Sequence, residues 1–419
     1  MLRRTLRPVA HSLRSLVGTN GLSDRVSTLE AAMRGLAIGS PVPIPDIPVV
    51  PAAGPAAGTI DVNLLLHQSR GALLRTMPPG AQRLLSAGCA GSWYFDWIEQ
   101  TYGRVPEHLG IEYYSPEPDD LPDNVTWIAN TASNMSAVPD GGCDLVFSGQ
   151  NLEHLWPDEV AGFALEAARV LRPGGHLVFD SPNRLVTAPL NWGHPEHTIE
   201  LTPAEACELA RLAGFDVASV RGIWLCRDAR SGEMLPFDPN VAAPGWSVTE
   251  RLLVARDQPD NSFIWWIEAV RSDRAPAREA VHALMERLFR EHWPERVQRL
   301  MVPPGHALQP SPDGDWIVVE PGRGGIAMFG PYMPLRAGRH RVTWQMSTPQ
   351  ASPGPVAVCE VMAGTAGALA RHEVLPGQST VSLEFGLDET TFGFEFRCIS
   401  LATAGFSVLR RVRLEEHLS

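Results

Sequence analysis

The sequence predicts an α/β fold, a parallel sheet with helices on both faces, preceded by a helical segment and followed by an antiparallel β-sandwich. Three observations carry this. Between about residues 60 and 272, short apolar runs alternate with helical stretches, the pattern of a parallel sheet covered on both sides. From Gly314 onward, stretches such as WIVVE, HRVTWQM, VAVCEVM and FGFEFRC alternate in polarity between Gly and Pro punctuation, which predicts a sandwich. A length of 419 residues suits two or three domains.

Residues 1–40 form the first segment. Leu2, Leu6, Val9, Leu13 and Leu16 step by four and three, as do Leu22, Val26, Leu29, Met33 and Leu36, so each run predicts a helix with one apolar stripe. Six arginines against Asp24 and Glu30 leave two readings open: self-association of the pair, or peripheral contact with an anionic membrane face. Residues 41–58, PVPIPDIPVVPAAGPAAG, are a Pro/Ala/Gly linker.

Residues 59–275 carry the α/β pattern. Strands are predicted at Arg83–Ala87, Leu109–Tyr113, Val125–Ala129, Asp144–Ser148, His176–Asp180, Val217–Leu225 and Phe263–Val270. Helices are predicted at Tyr94–Tyr102, Asp158–Leu171 and Pro203–Ala213, the last opened by a Thr202/Glu205 capping box. The polar stretch after Asp228 reads as an insertion before the final strand. A connecting helix occupies 276–304, and the sandwich 305–419.

Composition narrows the function. A net charge of -12 argues against a general nucleic-acid binder. No apolar run reaches the ~18 residues of a membrane span, and no compact apolar segment follows the basic start, so no secretory signal is expected. Six scattered cysteines without a C-x-x-C pair suit a reducing cytoplasm. All 35 basic residues are arginine. Without lysine there is no Walker phosphate loop, no pyridoxal Schiff base and no kinase strand lysine.

Three features point to chemistry. The turn Ala87-Gly88-Cys89-Ala90-Gly91-Ser92 follows the first strand, and its small residues let backbone pass close to a ligand at the strands' carboxyl edge, or simply pack tightly. Glu112 ends the next strand about 20 residues on, where a carboxylate can accept both hydroxyls of a ribose. The strand Asp144-Leu145-Val146-Phe147-Ser148 runs into Gly149-Gln150-Asn151-Leu152-Glu153-His154, and the helix after it closes with Val170-Leu171-Arg172-Pro173-Gly174-Gly175.

In this order of motifs the chain resembles the class I S-adenosylmethionine-dependent methyltransferases, over roughly residues 80–272. The resemblance implies a Rossmann-like seven-stranded sheet whose last strand, Phe263–Ala269, is antiparallel to the rest. It implies S-adenosylmethionine as cofactor, with Ala87, Gly88 and Ala90 against its methionine part and Glu112 on the ribose. Asn134 and Met135 would take the adenine, and Gln150 and His154 the neighbourhood of the sulfonium. The chain departs from the family pattern at Ser86, where an acid is usual, and at Ala90 and Ser92, where glycines are usual.

Methyl transfer is an in-line displacement accelerated chiefly by holding the reactants at attack distance. A hydroxyl acceptor is helped by a base, and His154 and His197 are the candidates because imidazole titrates near neutrality. Asn183, Arg184, His194 and His197 lie on the acceptor-facing loop, where they bind the acceptor or order the loop. The steps of three between His194, His197 and Glu200 are interrupted by a turn at Pro195, so no metal is expected.

The sandwich resembles jelly-roll modules found beside transferases of surface-polysaccharide biosynthesis. Its Trp316, Tyr332 and Trp344 are either core or flat faces for a sugar ring. The reading expected from the sequence is therefore a cytoplasmic methyltransferase, peripheral to the inner membrane face if residues 1–40 dock there. It would O-methylate a saccharide or another small-molecule acceptor. The competing expectation is a catalytically silent fold that serves as a binding scaffold.

Overall fold

The parallel sheet forms where the apolar runs predict it. A computed structural model describes residues 59–417 apart from 90, 191, 193, 195 and 364–366. The expected helices and linker of residues 1–58 lie outside the described residues, as does Ala90. The chain divides into two compact units, one holding the described residues up to 193 together with 199–290, the other 194–198 with the chain from 291 onward.

In the first unit the strands are β1 (Arg83–Ala87), β2 (Glu107–Glu112), β3 (Val125–Ala129), β4 (Cys143–Gly149), β5 (Leu171–Pro182), β6 (Phe215–Leu225) and β7 (Ser262–Arg271). They assemble in the order β3-β2-β1-β4-β5-β7-β6. The pairs β1–β2, β2–β3, β1–β4 and β4–β5 are parallel, whereas β7 runs antiparallel to both β5 and β6. The order reverses direction at β1 and β4, so a cleft opens there at the carboxyl ends of the strands.

The helices are α1 (Val62–Leu74), α2 (Ser92–Tyr102), α3 (Pro157–Val170), the short α4 (Arg184–Thr187), α5 (Pro203–Leu212), α6 (Val248–Ala255) and α7 (Arg278–Val297). Asp61 caps α1 by accepting the Asn63 and Leu64 amides. The expected box at α5 forms: Thr202 Oγ1 accepts the Glu205 amide at 3.3 Å, and Glu205 Oε2 accepts the Thr202 amide at 2.8 Å. Strands β4 and β5 are apolar on both faces, as a doubly covered sheet requires. Val146, Phe147, Leu177 and Phe179 are buried with Ala161, Ala164 and Ala168 of α3 and Trp265 and Ile267 of β7.

The second unit holds two five-stranded antiparallel sheets. One runs β10 (Gly324–Met328), β16 (Thr391–Leu401), β13 (Ala357–Ala363), β14 (Ala368–Val374), with β11 (Pro331–Leu335) also on β16. The other runs β15 (Thr380–Leu387), β12 (Gly338–Ser347), β17 (Phe406–His417), β9 (Trp316–Val319), β8 (Ala307–Gln309). Alternate residues supply the core: Val342, Trp344 and Met346 from β12, and Phe394, Phe396 and Cys398 from β16. Trp344 meets Phe396 edge-on with ring centroids 6.4 Å apart, so it is core and offers no face to a sugar.

Candidate functional site

The cleft is built from the turns that leave β1, β2 and β4. Gly88 has φ +77°, and a Cβ there would fall 2.4 Å from Asn151 Oδ1, so only glycine lets this turn close against the segment after β4. Ala87 and Cys89 are buried beside it, and the Gly88 amide donates to Ile111 O at 3.0 Å. Burial, followed by the Glu112 charge, pushes the Cys89 thiol up, so it stays protonated and inert.

Ser86 lies on the covered side of β1. Its hydroxyl is 2.8 Å from His108 Nε2, and His108 Nδ1 is 3.4 Å from Glu99 Oε1. Burial lowers the His108 pKa despite Glu99. The position where an acid is usual in the resembling family is thus filled by a neutral Ser–His pair inside the fold.

Glu112 ends β2 at the cleft. Its Oε1 accepts the Tyr114 amide at 2.7 Å and the Ser115 amide at 2.9 Å, which fixes the carboxylate's direction. Burial raises its pKa, and those amides oppose the rise. Tyr113 and Tyr114 follow it, each 62% exposed, their rings edge-on at 5.1 Å. Sequence reasoning missed them, although two aromatics directly after a strand-ending acid were a usable signal.

The adenine assignment is corrected in part. The Met135 amide donates to Glu166 Oε2 at 2.9 Å and its carbonyl accepts from Arg169 Nη2 at 2.9 Å, so the buried Met135 backbone is engaged by α3. Asn134 accepts the Ser136 amide and lines an open groove of about 490 Å³ with Gly162, Glu166 and Arg169 of α3.

Gln150 is the strained residue of the cleft, with φ +54°. Its amide donates to Asp180 O at 3.0 Å and its Nε2 to Asp180 Oδ1 at 2.7 Å. The other carboxylate oxygen, Oδ2, takes the Arg70 Nε at 3.0 Å, and both partners are buried. Burial works against the Arg70 charge, but Asp180 and Tyr94 outweigh it and hold the guanidinium above its ordinary pKa. Arg70 also lies over Trp97 and Phe147, 5.3 and 5.9 Å from the ring centroids. Sequence reasoning passed over this network. Its signals were an aspartate closing the apolar run of β5 and an arginine on the apolar stripe of α1 with Leu66 and Leu73.

His154 closes a short 3-10 turn, Leu152–His154, after β4, and its amide donates to Asn151 O at 3.1 Å. His197 belongs to the second unit, buried, with its ring stacked on His194 at 4.4 Å. Asn183 is corrected. It is fully buried, its Nδ2 donates to Pro259, Asp260 and Ser262 carbonyls at 3.0, 3.3 and 3.1 Å, and its Oδ1 accepts the Leu185 amide. With both ends of the carboxamide engaged, it clamps the loop and cannot face an acceptor. Arg184 donates to Glu200 O at 2.9 Å and pairs with Glu205, which ties the same loop to α5. Glu200 accepts from Thr187 Oγ1.

A family model described as a methyltransferase domain matches residues 85–179. A probable S-adenosylmethionine-dependent methyltransferase of Mycolicibacterium smegmatis is 34% identical over 148 residues, covering 34% of this chain and 54% of that protein. One from Mycobacterium tuberculosis H37Rv, of the same description, is 32% identical over 193 residues, covering 40% of this chain and 68% of that protein. The match thus spans about half the length of the first relative and two thirds of the second. Among solved structures, a methyltransferase from Archaeoglobus fulgidus is 18% identical with a TM-score of 0.36, covering 50% of this chain and 95% of that one.

Proposed function

This chain belongs to the class I S-adenosylmethionine-dependent methyltransferases, and from that premise we propose that it moves the cofactor's methyl group to a hydroxyl of a saccharide. The observation that carries the transfer is the Glu112 carboxylate, aimed by two turn amides at the strand edge one strand over from the Gly88 turn. In this reading Glu112 accepts the ribose hydroxyls, and the exposed Tyr113 ring offers the adenine a flat face. Ala87, Gly88 and Ala90 back the methionine part, and Gln150 with His154 borders the sulfonium.

S-adenosylmethionine held by these residues would supply an electrophilic methyl group, and the chain's own part would be to hold that group and the acceptor at attack distance. Positioning supplies most of the rate. His154 takes the acceptor's proton in this proposal, and Arg184 orders the loop beside it. The saccharide is supported by the β-sandwich carried on the same chain, a module type that accompanies glycan-modifying transferases. A bacterial surface glycan or a lipid-linked saccharide is the substrate class it suggests.

Calorimetry with S-adenosylmethionine tests the reading first. The intact chain is expected to bind, and Glu112→Ala to weaken binding by about tenfold or more, as loss of a charge-assisted hydrogen-bond acceptor does. Release of S-adenosylhomocysteine in the presence of a panel of bacterial oligosaccharides then tests the acceptor. A chain that binds no cofactor, or an Ala variant that binds as well as the parent, leaves the scaffold reading in its place.

A further inference from the structure

Two glutamates are sunk in the outer face of the sheet β10–β16–β13–β14. Phe394, Phe396 and Cys398 of β16 enter the core, so Glu395 and Arg397 between them face the other way. Glu360 of β13 stands opposite Arg397 in the register, and Arg371 of β14 opposite Glu360, which puts all four on that face. Side chains on the solvent side of a sandwich are usually exposed, yet Glu395 and Glu360 are only 5% and 8% exposed. Arg397 holds Glu395 in a fork, Nη2 to Oε1 at 2.6 Å and Nε to Oε2 at 3.1 Å. The Tyr332 hydroxyl of β11 joins Glu395 as well. Burial, then the Glu395 charge, pushes this phenol up to about 12, so it keeps the proton it donates. Glu360 differs. Its Oε1 is 3.6 Å from Arg397 Nη1, close enough for an ion pair and too far for a hydrogen bond. Among the described residues no donor reaches its oxygens within hydrogen-bond distance, and 11% of its side chain stays open. Buried acceptors are nearly always paired, so this carboxylate marks a place where the donor comes from outside.

We propose that Glu360 and Arg397, braced by Glu395 and Tyr332, form a saccharide subsite on the outer face of the sandwich. Charge decides the class of ligand. Arg397 and Arg371 cancel the two glutamates, so the face neither draws an anion such as phosphate nor calls for a cation. A neutral ligand rich in hydroxyls fits, because each hydroxyl can give a proton to a carboxylate and accept one from a guanidinium. Arg397 Nη1 takes no part in the fork to Glu395, so a donor and an acceptor stand side by side without a hydrogen bond between them. Adjacent hydroxyls of one sugar ring can meet both, the one on Glu360 with charge assistance. The subsite's role, to hold a saccharide that the chain modifies, rests on the reading of the acceptor given above; the binding itself does not.

The test is retention of the full chain on immobilised neutral oligosaccharides of glucose, galactose, mannose and rhamnose. Melting temperature and S-adenosylmethionine affinity are measured alongside. The parent is expected to be retained on at least one sugar. Glu360→Gln keeps the side chain's shape and breaks no hydrogen bond, so it should melt close to the parent and bind the cofactor equally. Its affinity for the retained sugar should fall about tenfold or more. Free sugar gives a second readout, since it should raise the melting temperature of the parent more than that of Glu360→Gln. A parent retained on none of the sugars overturns the subsite, as does equal retention of parent and variant. Retention that requires added calcium would give the two glutamates to a metal and overturn it too. A chain that binds sugar but no S-adenosylmethionine keeps the subsite and loses the methyl-transfer reading. One that binds the cofactor and no sugar does the reverse.

Discussion

Arg70 Nε donates to Asp180 Oδ2 at 3.0 Å, joining α1 to the carboxyl end of β5 by an ion pair that water does not reach. The two residues are 110 positions apart in the chain. Removing one partner of a buried pair strands the other charge. Asp180→Asn is therefore expected to destabilise the fold by about 3–5 kcal/mol. Urea titration of parent and variant measures it, and a loss well under 1 kcal/mol would show that the guanidinium reaches water.

Gln150 is held at φ +54°, where a side chain costs roughly 1 kcal/mol and glycine costs little. Gln150→Ala and Gln150→Gly lose the same bond to Asp180 and differ in backbone strain, which favours glycine here, and in unfolded-chain entropy, which opposes it in part. The glycine variant is expected to be the more stable by about 1 kcal/mol. Equal stabilities in thermal melts would mean that the backbone relaxes out of the left-handed region.

The sheet was legible in the sequence because each strand is a short apolar run and each boundary has a chemical marker. Arg83–Ala87 and Val125–Ala129 form as predicted, and β5 is longer than its predicted centre because Leu171-Arg172-Pro173-Gly174-Gly175 precedes it past a register shift with β4 and Ser181-Pro182 continues its pairing with β7. Of the proposed site, Glu112 at the end of β2 and Gln150 just after β4 stand where the strand pattern puts them, at the carboxyl edge of the sheet. Met135 and Asn183 were misread because a backbone amide and a carboxamide look available in sequence until their partners, Glu166 and the 259–262 carbonyls, are known. Arg70 was missed because its partner comes from a distant strand, and no local pattern reports such a pairing.

Ser86 stands where the resembling family carries a cofactor-binding acid, yet its hydroxyl serves His108. Ser86→Ala should leave the imidazole short of a partner and cost about 1–3 kcal/mol of stability. Affinity for S-adenosylmethionine should be unchanged. A drop in affinity without loss of stability would place Ser86 on the cofactor after all.

Glu153 gives the fold a pH dependence. Burial lifts its carboxyl to about 8 against the hydrogen bond from Ser181, with the Asp180 and Glu200 charges adding to the rise. The folded chain keeps a proton that the unfolded chain releases near 4.5. This contribution to stability is complete below pH 4.5 and disappears as pH climbs through 8. Glu153→Gln should therefore flatten the fall in unfolding free energy between pH 4.5 and about 8, the interval set by the two protonation equilibria. A variant whose profile parallels the parent's would contradict this.

Arg251 is buried on α6, where its charge is met by carbonyls, a thiol and a ring. Its Nε donates to Leu225 O at 2.8 Å and its Nη2 to Pro236 O at 2.7 Å, while the guanidinium lies 3.6 Å from the centroid of the Trp224 ring. Burial pushes its pKa down, and the neighbouring Cys226 thiol opposes the fall. Leu225 ends β6 and Pro236 belongs to the insertion after Asp228, so one planar group fastens the insertion to the sheet. Lysine keeps the charge but cannot span two carbonyls in one plane or stack flat on Trp224. Arg251→Lys should therefore destabilise by about 2 kcal/mol or more. Trypsin, which cuts after arginine, should then cleave at Arg227 or Arg230 faster in the variant than in the parent. Equal cleavage rates at those two bonds would mean that the insertion is held by other contacts, such as the Trp224 Nε1 bond to Phe237 O at 2.8 Å.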